Sequence, residues 1–168
     1  GIGKSRLRYE LLRRVATTAR DAGSAPPEIW LGRADPVADG SPFGMLGSAL
    51  RSGLGVSFDT PREQVRDLLV ARAGRVHSLN AAERLADTLL DVVAGGREST
   101  NGMDPMSAGD LMRAGWEDFL AGELEQHPIL LVLEDLHWGD LGSVRFVDAA
   151  LRQHADRPLF ALVLARPD

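Results

Sequence analysis

Apolar residues recur at helical spacing near the start of the chain. Leu7, Leu11, Leu12, Val15 and Ala19 fall on one side, which predicts a helix over Lys4 to Ala22, with Gly23 placed to end it. Ala25, Pro26 and Pro27 break the chain, and Glu28 to Leu31 read as a short strand. Gly32 to Pro42 is a loop rich in Gly, Pro, Asp and Ser, and Phe43 to Ser52 is expected to be helical. Pro61 to Ala73 reads as a helix, with Thr60 as its N-cap and Pro61 in the first turn. Asn80 looks like the cap of a further helix running to Val93. Gly95 to Pro105 is polar and turn-rich, and Ser107 to Gln126 is a long helix carrying Leu111, Trp116, Phe119 and Leu120.

Pro128 to Glu134 is the clearest strand. Its apolar residues are continuous rather than alternating, as expected where helices cover both faces of a sheet. Asp140 is placed to cap a helix reaching about His154, and Leu159 to Ala165 is a second apolar strand. Strands alternating with helices predict an α/β fold with a parallel sheet. No internal repeat, low-complexity segment or interdomain linker interrupts the pattern, so residues 1–168 read as one domain.

Composition narrows the function classes. The 168 residues suffice for one domain with a sizeable core. Nineteen basic residues against twenty-four acidic ones give a formal charge of −5, which argues against an extended nucleic-acid face. The absence of cysteine excludes disulfides and thiolate metal sites. His77, His127, His137 and His154 lack zinc-like spacing. No apolar run approaches the roughly 18 residues that span a membrane. The start GIGKSRLRYE has no initiator Met and no apolar stretch after its basic residues. It is therefore expected to be a piece whose N-terminus lies upstream rather than a signal peptide, and the expected location is cytoplasmic.

The first five residues, Gly1-Ile2-Gly3-Lys4-Ser5, match the last five positions of the phosphate-binding pattern G-x-x-x-x-G-K-[ST]. Glycines let backbone N–H groups converge on phosphate oxygens, and the following helix points its N-terminus at the same charge. Lys4 would reach the terminal phosphates and the Ser5 hydroxyl would ligate Mg²⁺. Lys4 is the single lysine beside eighteen arginines, so chance alone seldom sets it between Gly and Ser. Arginine would not replace it, because a compact ammonium fits inside a phosphate loop and a planar fork does not. With Arg6 directly after the motif, the expected nucleotide-binding set is Gly1, Ile2, Gly3, Lys4, Ser5 and Arg6.

The strand Ile129-Leu130-Leu131-Val132-Leu133 ends in Glu134 and Asp135. In P-loop enzymes such a strand delivers one acid to the Mg²⁺ shell and another to the attacking water. Both belong at the carboxyl end of the strand, where open α/β sheets bind their ligands.

The stretch LLVLEDLHWGDLGSVRFVDAAL resembles the Walker B region of the AAA-type ATPase domains of STAND proteins. WLGRADPVADGSPFGMLGSALR resembles the segment after the second strand of the same group. These are multidomain signal-transduction ATPases, found in large bacterial transcription activators and fused to kinases or adenylate cyclases. The resemblance implies a three-layer P-loop core with sheet order 5-1-4-3-2, of which this chain would hold strands 2, 3 and 4. Leu159 to Ala165 would then be an exposed apolar edge.

The resemblance further implies that Glu134 is the Mg²⁺-side acid and Asp135 the water-activating one. The usual order is Asp then Glu, so the inversion leaves the division of roles open and suits a slow ATPase. Arg166 matches the arginine that follows the last apolar strand in STAND proteins and senses the terminal phosphate. His137 is expected to face solvent and Trp138 to pack. The basic run Arg6, Arg8, Arg13 and Arg14 is expected to be a solvated face of a helix packed closely on the sheet. The implied ligands are ATP or ADP with Mg²⁺. The implied partners are other domains of the same polypeptide and further copies of it, with DNA reached only through a domain outside these residues. A DNA-handling AAA ATPase and a nucleotide-binding scaffold without turnover remain as alternatives.

Overall fold

The computed structural model describes residues 2–34, 43–94 and 105–165; the side chains of residue 2 and residues 105–107 lie outside that description. The elements run α1 (Ile2–Asp21), β1 (Glu28–Arg33), α2 (Gly44–Leu54), α3 (Arg62–Ala73), α4 (Leu79–Ala94), α5 (Pro105–Gln126), β2 (Ile129–Glu134), α6 (Leu141–Gln153) and β3 (Leu159–Leu164). A 3₁₀ turn, Leu136–Trp138, follows β2. The strands form a parallel sheet in the order β1-β2-β3, the 4-3-2 run expected from the resemblance. Register is in step throughout: Arg33 lies beside Glu134, and Glu134 beside Leu164.

Period-two alternation gives each strand a core side. Trp30, Ile129, Leu131 and Leu133 join Met45, Leu50, Leu69, Leu89, Trp116 and Leu120 in a cluster built by the sheet and helices α2 to α6. Every residue of β2 is buried, which explains its unbroken apolar run. β3 is an outer strand among those described, with Phe160 61% and Val163 45% exposed, as the predicted apolar edge requires.

Helix α1 departs from expectation. None of its described side chains is buried, and Leu7 and Tyr9 are mostly exposed. It is held to the sheet end by charged contacts of Lys4 and Arg8 rather than by close packing.

Caps differ in detail as well. Pro61, not Thr60, holds the N-cap position of α3, and the Thr60 hydroxyl instead accepts from the Ser57 N–H at 3.0 Å. Asn80 lies inside α4, whose first turn closes on the Ser78 carbonyl. Both misplacements arise because short polar side chains find several local backbone partners. Asp140 does cap α6, accepting from the Ser143 N–H at 2.7 Å. It also reaches the start of α2, accepting from Phe43 N–H at 3.0 Å and Met45 N–H at 3.2 Å. Phe43 adopts φ 65°, and its own side chain makes no cap, so a distant carboxylate supplies what the local sequence lacks.

At the amino end of the strands Arg72 joins Glu28 of β1, Glu123 of α5 and the Gly53 carbonyl of α2. Burial alone would lower the Arg72 pKa, but the hydrogen bonds and charges of Glu28 and Glu123 outweigh it and hold the guanidinium above its usual value.

Candidate functional site

The carboxyl ends of β1, β2 and β3 meet the start of α1 at a cleft of about 220 Å³. Lys4, Ser5, Arg8, Arg33, Glu134, Asp135 and Leu164 line it. Open parallel sheets present their ligand sites at this end. Gly3 and Lys4 lie in the first turn of α1, whose leading backbone N–H groups have no intrahelical acceptor, and Ser5 follows them. No atom lies within 4 Å of where a Cβ on Gly3 would stand, so the helix start is open.

β2 delivers its two acids differently. Glu134 ends the strand and is nearly buried, its side chain 11% exposed. Asp135 follows with φ 54° and ψ 42°, a left-handed conformation that Asp tolerates better than most residues. The reversal turns its carboxylate toward α1, where Lys4 Nζ donates to Asp135 Oδ1 at 3.1 Å.

Glu134 is gripped from both sides. Arg8 Nη1 lies 2.7 Å from Oε1, while Arg33 donates to Oε2 through Nη2 at 2.8 Å and Nε at 3.2 Å. Such charge-assisted contacts are the stronger kind of hydrogen bond. Among the described residues, the cleft lining thus carries three cations against two carboxylates, an excess of one positive charge. That balance favours an anion.

Of the residues expected from the sequence, Lys4, Ser5, Glu134 and Asp135 come together in this cleft, while Gly3 precedes them in α1 and is not among the lining residues. The backbone of Ile2 opens α1. Arg6 is exposed and is not among the lining residues. Gly1 and Arg166 lie outside the described residues. His137 faces solvent as expected. Trp138 does not pack into the core: it is 59% exposed, its ring centroid 5.3 Å from that of His137. Both rings belong to the 3₁₀ turn, none of whose residues is buried.

Arg8 and Arg33 were not among the expected site residues. Arg8 belonged to a run expected to be solvated, yet it stands one helical turn after Lys4 and therefore shares its face. Arg33 ends β1, the place where the ligand rule for parallel sheets directs attention. Both signals are present in the sequence.

The Ser5 hydroxyl and the Glu134 carboxylate are hard oxygen donors lining one cleft, the ligand type that suits Mg²⁺. Among the described residues, no helix is long and apolar enough to cross a membrane.

Searches found no match among curated proteins or among solved structures. A family model described as the AAA ATPase domain matches residues 1–164, nearly the whole chain. The parallel sheet, the Gly-Lys-Ser start of α1 and the acidic end of β2 are the features that such a nucleotide-binding P-loop domain requires. The chain belongs to the AAA ATPase domain family.

Proposed function

We propose that this domain binds ATP with Mg²⁺ and hydrolyses it slowly, as a cytoplasmic conformational switch of the STAND type within a multidomain signalling or transcription-regulatory protein. The observation that carries the reading is the meeting of Lys4 with Asp135, residues 131 positions apart, in a cleft whose described lining is net positive. An ion pair this accessible adds little stability by itself, so the placement of Lys4 beside Asp135 suits a ligand site.

In this reading Gly1, Ile2, Gly3, Lys4, Ser5 and Arg6 surround the phosphates, with the Lys4 ammonium moving from Asp135 to the terminal oxygens. Ser5 and Glu134 hold Mg²⁺, whose charge would neutralise the phosphate oxygens during transfer. Asp135 orients the attacking water, and Arg166 senses the terminal phosphate. The cleft is smaller than the roughly 300–1,000 Å³ of typical small-molecule pockets, which suits the phosphate end of a nucleotide. Asp135 is a shorter acid than the glutamate usual at its position, and it starts bonded to Lys4. Both features favour slow turnover. Bound triphosphate would favour one arrangement of neighbouring domains, or of associated copies, through its differential affinity for the two states.

A fluorescent ATP analogue titrated with Mg²⁺, followed by phosphate release, tests the proposal in the protein and in Lys4→Ala and Asp135→Asn. Binding lost in Lys4→Ala together with turnover lost in Asp135→Asn supports it. Binding without turnover in the parent protein would favour a nucleotide-bound scaffold. Equal binding by the parent and Lys4→Ala would remove the nucleotide site itself.

A further inference from the structure

We infer that Arg8 and Arg33 are phosphate-binding residues which, before nucleotide arrives, are stored on Glu134. The inference rests on the nucleotide reading above and assigns two residues that the phosphate-loop motif does not contain.

Both oxygens of Glu134 are engaged, Oε1 by Arg8 and Oε2 by Arg33 in a two-nitrogen grip. A divalent cation approaching this carboxylate would meet two guanidinium charges about 3 Å from its ligand atoms, a repulsion that disfavours binding. The same guanidinium groups match phosphate oxygens in geometry and charge. A polyphosphate entering the cleft brings several negative charges to a place where the described lining is already one positive charge in excess. It therefore competes with Glu134 for both arginines.

The two side chains are free to make that exchange. The Arg33 side chain is 59% exposed and that of Arg8 27%, against 11% for Glu134. The carboxylate is the fixed partner and the arginines are the movable ones. Arg8 rises from α1 one turn beyond Lys4, on the face that meets the phosphates, and Arg33 stands at the end of β1 across the cleft. Moving either fork from Glu134 to phosphate exchanges one charge-assisted bond for another and opens Glu134 for its second role. Occupation of Glu134 by a cation thereby becomes conditional on the nucleotide.

The test is a thermodynamic cycle on ATP affinity measured in EDTA, so that no metal contributes. Arg8→Ala and Arg33→Ala are each expected to weaken binding by about tenfold, the worth of one bond to a charged group. Arg33→Lys should recover part of that loss. Glu134→Gln, which releases the arginines, should tighten binding several-fold. The deciding measurement is Glu134→Gln in an Arg8→Ala/Arg33→Ala background. If the arginines mediate its effect, the tightening shrinks or vanishes there, since coupled residues are not additive. If removing a negative charge simply relieves repulsion of the phosphates, the tightening persists undiminished and the inference fails. Arginine variants that bind like the parent would overturn it as well. If an alanine variant folds poorly, the same cycle is run in an Arg8→Gln/Arg33→Gln background, which keeps the side-chain stems and removes both charges. Lys4→Ala serves as the separate control: its full retention of ATP binding would sink the nucleotide reading. Loss in Lys4→Ala with an additive cycle would sink only the role of the arginines.

Discussion

Lys4 Nζ lies 3.1 Å from Asp135 Oδ1, with the two side chains 25% and 36% exposed. Pairs this accessible contribute about 0–1 kcal/mol to stability. Lys4→Ala should therefore move the free energy of unfolding by less than about 1 kcal/mol while removing nucleotide binding. Urea denaturation beside an ATP titration checks both halves. A loss of several kcal/mol would make the pair a structural tie rather than a waiting ligand site.

Asp135 holds φ 54°, and this separates the backbone role of the position from its chemistry. Asn tolerates the left-handed region about as well as Asp, whereas a residue with a plain Cβ loses about 1–2 kcal/mol there. Asp135→Asn should leave the melting temperature unchanged and stop hydrolysis. Asp135→Ala should stop hydrolysis and also cost about 1 kcal/mol, and Asp135→Gly should return most of that stability. Equal stability of all three variants would show that the backbone at this turn carries no strain.

Asp140 accepts from Ser143 N–H and Oγ at 2.7 Å, and from Phe43 and Met45 N–H at 3.0 and 3.2 Å. It thus terminates α6 and α2 together. Loss of one cap costs about 1 kcal/mol, and buried donors left without an acceptor add to that. Asp140→Ala should destabilise by about 2–4 kcal/mol, and Asp140→Asn by about half as much, since its amide oxygen still accepts. Chemical denaturation measures the difference. A cost near 1 kcal/mol for Asp140→Ala would mean that only the α6 cap matters.

The sequence made the site legible where the signal was local. The apolar run Ile129 to Leu133 ended in acids, so β2 and its carboxylates could be placed from a few neighbouring residues. Gly3, Lys4 and Ser5 announced their helix in the same way. What escaped was set by distance along the chain. The reach of Asp140 to Phe43 and Met45 spans 97 and 95 positions, and nothing near Asp140 encodes it. Arg8 looked like one member of a solvated basic run because helical periodicity gives a face but not what that face meets. The nearly exposed setting of α1 was equally hidden: Leu7, Leu11 and Leu12 form an apolar stripe by spacing, yet none of them is buried.

Arg72 offers the sharpest stability test, away from the nucleotide cleft. It lies at the amino end of the strands, bridging Glu28 and Glu123 and donating to the Gly53 carbonyl at 2.7 Å. His127 closes the cluster against Glu28. The Glu123 side chain is only 2% exposed, so removing Arg72 takes the guanidinium from a buried charge and leaves His127 Nε2, 3.5 Å away, beside it. Breaking a buried pair from one side costs about 3–5 kcal/mol, whereas replacing both partners with apolar groups of similar volume is often neutral. Arg72→Ala should therefore destabilise by about 3–5 kcal/mol, and Arg72→Met combined with Glu123→Leu should recover most of the loss. Because the cleft sits at the opposite ends of the same strands, ATP affinity should stay unchanged at temperatures where each variant remains folded. Thermal unfolding alongside nucleotide titration separates the two effects. A double variant no more stable than Arg72→Ala would show that the Gly53 carbonyl and Glu28, rather than Glu123, are what Arg72 serves.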